Sequence, residues 1–333
     1  MQLAEKIEQM FALELSLGGR AAKQYAFLDS VKRKELPIDG LDSYLLFNPG
    51  RVRSVMADVS PETLAHRKCF LCPDGVEDKQ QSLPWGDYVI RINPFPIFRR
   101  HLTISSAKHE PQLIGGHYEN MLRLAAELPE YAIFYNGPRC GASAPDHMHF
   151  QAVPIDALPL QRWSDLHATS MRLLVDVEWT SSGLSHNAEN TATLPQNDNC
   201  QPQNPTKNCA IVQFCNSEIR KIDVFCPSAY LITGKNIDEM EAIRKRLINA
   251  IGHDINVISW VKDGFYKSII IFRSKSRPDC FFAESDEERI LISPATVEMA
   301  GVAIVASEDS FNKLDARKLR NIIREVSLPG GNI

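Results

Sequence analysis

Residues Gly141 to Pro154 read GASAPDHMHFQAVP. Met148, Phe150 and Ala152 alternate there with His147, His149 and Gln151. Side chains two apart on a strand share a face, so the stretch predicts a strand with a packed back and a front of two imidazoles and an amide. A lone strand histidine is ordinarily structural; three polar groups in register behind a Gly/Ser/Pro loop are the arrangement of a site. The loop before them, Asn136 to Asp146, carries Gly137 and Gly141, which let backbone amides approach an anion closely. Ser143 adds a hydroxyl and Asn136 an amide. A neutral imidazole is a competent nucleophile near neutral pH, so the stretch reads as a phosphate cradle facing a nucleophile.

Working outward, residues 87–93 (DYVIRIN), 101–105 (HLTIS) and 131–136 (YAIFYN) have strand character, and 117–128 (HYENMLRLAAEL) has helical spacing. The order returns in the second half. CAIVQF (209–214), AYLIT (229–233), the helix 236–252, NVISWV (256–261) and FYKSIIIF (265–272) repeat strand, strand, helix, strand, strand. The repetition implies a duplication with halves at 1–160 and 161–333. Where the first half has His147 and His149, the second has Lys267 and Ile269, so the first reads as catalytic and the second as degenerate. The expected class is α+β, each half an antiparallel sheet with helices. Residues 181–208 are polar, Asn-rich and poor in large apolar residues, which predicts an insertion loop near 180–208.

With 333 residues, 44% hydrophobic and 23% charged, the chain can bury a large core. A net charge of -4 and a pI near 6.2 give no long-range attraction to nucleic acid or anionic membrane. Residues 1–30 read as an amphipathic helix with Leu3, Ile7, Met10, Phe11 and Leu15 on its apolar face, neither a signal peptide nor a membrane span, so a cytoplasmic location is expected. Eight cysteines in this length form no dense disulfide framework. Cys69 and Cys72 stand as one Cys-x-x-Cys, which reads as two thiolates on one tetrahedral ion, a redox pair or buried thiols.

The segment NGPRCGASAPDHMHFQ, with its His-x-His-x-Gln core, and RINPFPIFRRHLTI resemble the histidine triad superfamily. Within it the likeness is to the branch of hexose-1-phosphate uridylyltransferases, GDP-hexose phosphorylases and dinucleoside tetraphosphate phosphorylases, and to uncharacterised bacterial relatives. FNPGRVRS and LISPATVEMAGVAIV extend it. The resemblance implies that His149 attacks the α-phosphorus and carries the nucleotide covalently, with Gln151 on the transferred phosphate. It implies that Asn136, Gly141 and Ser143 hold the phosphate, and that Asn93 and Phe95 seat the nucleoside. It also implies a structural zinc on Cys69, Cys72, His109 and His147, with iron able to use the same ligands. The loop before the first histidine is one residue longer than in uridylyltransferases and matches GDP-hexose phosphorylases, which weakens a uridine assignment.

Arg51 and Arg53 read either as phosphate forks or as surface charges, and Arg273, in a basic cluster just after a strand, as a contact to the acceptor's phosphate from across the interface if the halves pack as a pseudo-dimer. Asp146 reads as an imidazole orienter or a turn cap, and His101 as a structural hydrogen-bonder. The leading expectation is therefore a nucleotidyltransferase or phosphorylase acting on a nucleotide sugar or dinucleotide. Its acceptor is phosphate or a sugar phosphate, and the protein is a monomer or homodimer without nucleic-acid or membrane partners. The alternatives are a hydrolase on the same site and a non-catalytic nucleotide sensor.

Overall fold

The computed structural model describes residues 2–38, 40–75, 80–160, 162, 168–170, 217–222 and 225–329. CAIVQF and the insertion near 180–208 lie outside the described residues. Thirteen strands are formed among those described: β1 Lys32–Glu35, β2 Tyr44–Phe47, β3 Leu83–Trp85, β4 Tyr88–Ile92, β5 Leu102–Ser106, β6 Tyr131–Asn136, β7 His149–Pro154, β8 Ala168–Ser170, β9 Glu218–Ile222, β10 Ala229–Gly234, β11 Ile255–Lys262, β12 Phe265–Phe272 and β13 Val302–Val305. Ten make one sheet in the order β3-β4-β5-β7-β6-β11-β12-β10-β9-β8, antiparallel throughout.

The class is α+β, and the repeat is visible in the order itself. Outward from the β6–β11 seam, one half runs β6, β7, β5, β4 and the other β11, β12, β10, β9, the same permutation on either side. The sheets of the two halves join at that seam, where Asn136 lies opposite Asn256 and Phe134 opposite Ile258. Continuous ladder bonding there leaves neither half with an unpaired inner edge.

The sheet has two apolar faces. One is covered by the helices Leu3–Ser16, Arg20–Phe27, Tyr118–Glu127 and Ile237–Ile251, whose Ile7, Leu122, Ile243 and Leu247 pack on Ile90, Ile104, Ile133 and Ile270. Each such side chain stabilises the fold by roughly 1.5–3 kcal/mol. The single helix expected over 1–30 is two, because Gly18 turns the chain with φ +68, a conformation that glycine adopts freely.

The other face is covered by a small mixed sheet, β1-β2-β13, and by the helix Ala316–Val326. The strand β13 lies parallel to β2, so a segment from the end of the chain is built into the first half. That sheet is invisible to local periodicity because its paired strands β2 and β13 are more than 250 positions apart. Beneath it a cavity remains open on the β4-β5-β7-β6 floor.

Candidate functional site

The cavity has a volume of about 420 Å³. His149, Gln151, Asn136, Gly141, Ser143, Asn93, Phe95, Arg51 and Arg53 all line it. Arg273 lies elsewhere. It is buried, and its guanidinium is spent on Asn256 Oδ1 and the carbonyls of Val326, Lys275 and Pro294, tying down the segment that follows β12.

The chain reaches this geometry through local devices. The β6–β7 ladder runs only to the pair Phe134–Gln151, so beyond it the two strands splay. Buried Gln112 fills the gap: its Nε2 donates to the carbonyls of Asn136 (3.0 Å) and His149 (2.9 Å), and its Oε1 accepts from His149 N (2.7 Å). The splay opens the floor where His149 stands. His147 departs from the expected shared face. The strand begins at His149, and His147 sits in the preceding turn with its N–H on Ala144 O, turned away from the cavity. Gly141 has φ +91, and a Cβ there would lie 2.5 Å from the Ala295 Cβ, so only glycine lets the loop meet the segment from the second half.

His149 is 5% exposed. Its Nδ1 lies 2.9 Å from the His147 carbonyl, which can only accept, so the proton is on Nδ1 and Nε2 carries the lone pair. Burial pushes its pKa down to about 4 against the opposing pull of the hydrogen bond to the His147 carbonyl, which keeps the ring neutral at pH 7.

Gln151 and Asn136 are fixed in the same sense. His101 Nδ1 accepts from Ile97 N (3.2 Å), so its Nε2 donates to Gln151 Oε1 at 2.9 Å; Asn93 Nδ2 approaches the same oxygen at 3.4 Å. Asn136 Oδ1 accepts from Thr296 N (2.9 Å), Thr296 Oγ1 (2.6 Å) and Asn256 Nδ2 (3.2 Å). With both amide oxygens taken, each NH2 group is the end left for a ligand. Asn93 Oδ1 caps Phe95 N, and Arg51 donates to Phe95 O at 2.8 Å, so these residues shape the cavity edge through one another.

Five arginines line the cavity (Arg20, Arg51, Arg53, Arg67 and Arg91) against two carboxylates, Asp58 and Glu298, and the excess suits an anionic ligand. Sequence reasoning missed several of these groups. Arg91 is half-buried on β4, and its Nη1 donates to Ser105 Oγ (3.2 Å), directly across from His149. A polar residue in an otherwise alternating strand was its only signal. Glu298 comes from the far end of the chain, and burial raises its pKa. His101 is fully buried, and burial, with Arg51 adding to it, lowers its pKa from 6.5 to about 3.

Between those values the unfolded chain binds a proton that folded His101 refuses, so stability is lost as pH falls from 6.5 toward 3. Urea denaturation should show stability falling by roughly 1.4 kcal/mol per pH unit for this group. The His101→Gln variant should lose one proton's share of that slope. An unchanged slope would contradict the buried neutral ring.

Behind the cavity, Cys69, Cys72, His109 and His147 bring four ligand atoms within 4.8 Å of one another. Cys69 Sγ–His147 Nδ1 is 3.2 Å, Cys72 Sγ–His109 Nδ1 3.3 Å and Cys72 Sγ–His147 Nδ1 3.4 Å. Zinc bonds of about 2.3 Å to sulfur and 2.0 Å to nitrogen put tetrahedral ligand atoms roughly 3.3–3.8 Å apart, so the set fits such an ion. His147 Nε2 donates to Ser106 O (2.9 Å), which fixes the tautomer that aims Nδ1 at the cluster. Burial pushes the Cys69 thiol up, but the His147 hydrogen bond and the backbone N–H groups of Leu71 and Cys72 outweigh it and hold the pKa at about 6.

No helix among the described residues is long and apolar enough to cross a membrane. A family model described as a domain of unknown function (DUF4922) matches residues 10–154. No curated protein matches the chain. Among solved structures, the yeast Ap4A phosphorylase Apa2 in complex with Ap4A superposes with a TM-score of 0.55 at 14% identity, covering 97% of this chain and 98% of that one. The same enzyme on its own gives 0.54 at 13% identity over 93% and 96%. In complex with AMP it gives 0.52 at 13% over 95% and 97%. Along nearly its whole length, the chain shares the fold of the yeast Ap4A phosphorylase.

Proposed function

We propose that the protein transfers a nucleotidyl group from a nucleotide sugar or dinucleoside polyphosphate to phosphate or a sugar phosphate, through a covalent nucleotidyl-His149 intermediate. One observation carries the reading: a neutral imidazole with its protonated nitrogen on His147 O sits beside two amides whose oxygens are already taken. His149 Nε2 attacks the α-phosphorus, and the P–O bond to the leaving phosphate or sugar phosphate breaks with its electron pair on that oxygen. The Nδ1–H stays on the His147 carbonyl and supports the positive charge of the adduct. Gln151 Nε2, Asn136 Nδ2 and the loop around Gly141 and Ser143 donate to the phosphoryl oxygens as charge builds there. An acceptor oxygen then attacks phosphorus, the P–N bond breaks and neutral His149 returns.

Asn93, Phe95, Arg51 and Arg53 form the nucleoside and outer-phosphate edges of the cavity in this reading. Catalysis belongs to residues 1–160, and 161–333 is the degenerate copy, in which Ile269 is wholly buried in the apolar core. A zinc ion on Cys69, Cys72, His109 and His147 would supply structural cross-linking rather than reaction chemistry.

The test is product analysis with UDP-, GDP- and ADP-sugars and dinucleoside tetraphosphates, each with and without phosphate or hexose-1-phosphate. Turnover is expected to require an acceptor and to yield the acceptor's nucleotidyl adduct. Release of nucleoside monophosphate regardless of acceptor would make the protein a hydrolase. Binding without turnover on any pair would make it a sensor.

A further inference from the structure

Arg67, two residues before Cys69, joins the thiolate segment to the loop that lines the cavity. Its Nη2 donates to Asp146 Oδ1 at 2.5 Å and its Nη1 to Ser143 O at 3.1 Å. Both partners of the ion pair are only 20% exposed, and the guanidinium lies 5.0 Å over the Phe70 ring. Asp146 therefore neither orients an imidazole nor caps a turn alone; it receives Arg67. At the other end of the same loop, His147 belongs to the Cys69–Cys72–His109–His147 cluster. The loop from Gly141 to His147 is thus tied to the thiolate segment at Ser143, at Asp146 and at His147. The thiolate segment is itself a wall of the cavity, through Arg67, Phe70, Leu71 and Gly75.

We propose that Arg67 is a positioning residue that couples the metal site to the substrate cavity, so that each ligand binds more tightly when the other is present. The inference rests on the reading of the cavity as a nucleotide site. A metal on the cluster fixes the backbone around Cys69, and a planar guanidinium gripping a carboxylate and a carbonyl at once carries that position to the loop beside the phosphate. Lysine, a single flexible point charge, does not reproduce the two-point grip. Coupling between two binding sites is reciprocal by necessity, which gives the proposal a signature that a merely structural arginine lacks.

The experiment uses the full chain and no turnover. Zinc affinity is measured by competition with a chromophoric chelator, with and without each of the four ribonucleoside 5′-monophosphates. Monophosphate affinity is measured calorimetrically on zinc-loaded and zinc-stripped protein. In the wild type the best-bound monophosphate should tighten zinc about fivefold or more, and zinc should tighten that monophosphate by the same factor. In Arg67→Met and Arg67→Lys both ligands should still bind while the factor falls toward one. Asp146→Asn, which keeps the arginine, should lower it as well and serves if the Arg67 variants fail to fold. A wild type that binds both ligands with no mutual effect, or variants that keep the full factor, would overturn the coupling. A zinc-loaded wild type that binds no monophosphate would instead overturn the nucleotide reading, and the coupling with it.

Discussion

Replacing His149 by alanine should lower turnover by on the order of 10⁴-fold or more, while leaving nucleotide affinity within a small factor of the wild type. The asymmetry follows from what the ring does. In the proposed reaction it meets the ligand at one atom, Nε2, and the rest of the cavity floor is held by other contacts: Gln112 on the backbone, His101 on Gln151 and Thr296 on Asn136. On the proposed mechanism, removing the buried imidazole takes away the bond-forming atom but not the amide donors beside it. A ring that merely packed would give the opposite result, a loss of stability with little change in rate, because a buried side chain deleted to alanine leaves a void. Steady-state kinetics and calorimetric binding on one preparation separate the two.

The second large effect is expected at the thiolate cluster. Cys69→Ser should drop zinc content from one ion per chain to near none and lower the melting temperature by roughly 4–6 °C, given that a ligand present at 100–1,000 times its Kd adds about 2.7–4.1 kcal/mol and that a chain of this length shifts about 1.4 °C per kcal/mol. The melting should stay cooperative, since the two apolar clusters on either side of the sheet do not include Cys69, Cys72, His109 or His147. A chelator should reproduce the loss in the wild type and do nothing further to the variant. Metal analysis with scanning calorimetry checks both; a variant that keeps its zinc, or a wild type that takes none up, would contradict the assignment.

Much of this site was legible because its chemistry sits on short-range patterns. The alternation through His149 and Gln151 gave the floor strand, the glycines at 137 and 141 gave the loop, and the Cys-x-x-Cys spacing gave half of the Cys2His2 cluster that could hold a metal. All of the residues expected around the phosphate line the cavity except Arg273. A basic cluster just after a strand suggests a contact to the acceptor's phosphate; in the fold, backbone carbonyls from three separate segments converge on Arg273 and bury it. His147 was read onto the strand's front because period-two alternation does not reveal where a strand begins.

What stayed hidden depends on pairs far apart in the chain. Nothing near Gln112 announces that it staples β6 to β7, and nothing near Arg67 announces Asp146, 79 positions on. Glu298 and Thr296, just before β13, enter the site alongside the pairing of β13 with β2, strands more than 250 positions apart. His101, read as an ordinary structural histidine, is structural in a specific sense: it decides which end of Gln151 faces the cavity.

A covalent intermediate on His149 is detected by the mass of the protein after brief incubation with a nucleotide-sugar and dinucleotide panel in the absence of acceptor, followed by peptide mapping. One nucleotidyl group should be added, acid-labile and base-stable, on the peptide that contains His149, and discharged when phosphate or a sugar phosphate is supplied. Turnover of a substrate with an unmodified His149 peptide at every time point, or full activity in the alanine variant, would contradict the covalent intermediate.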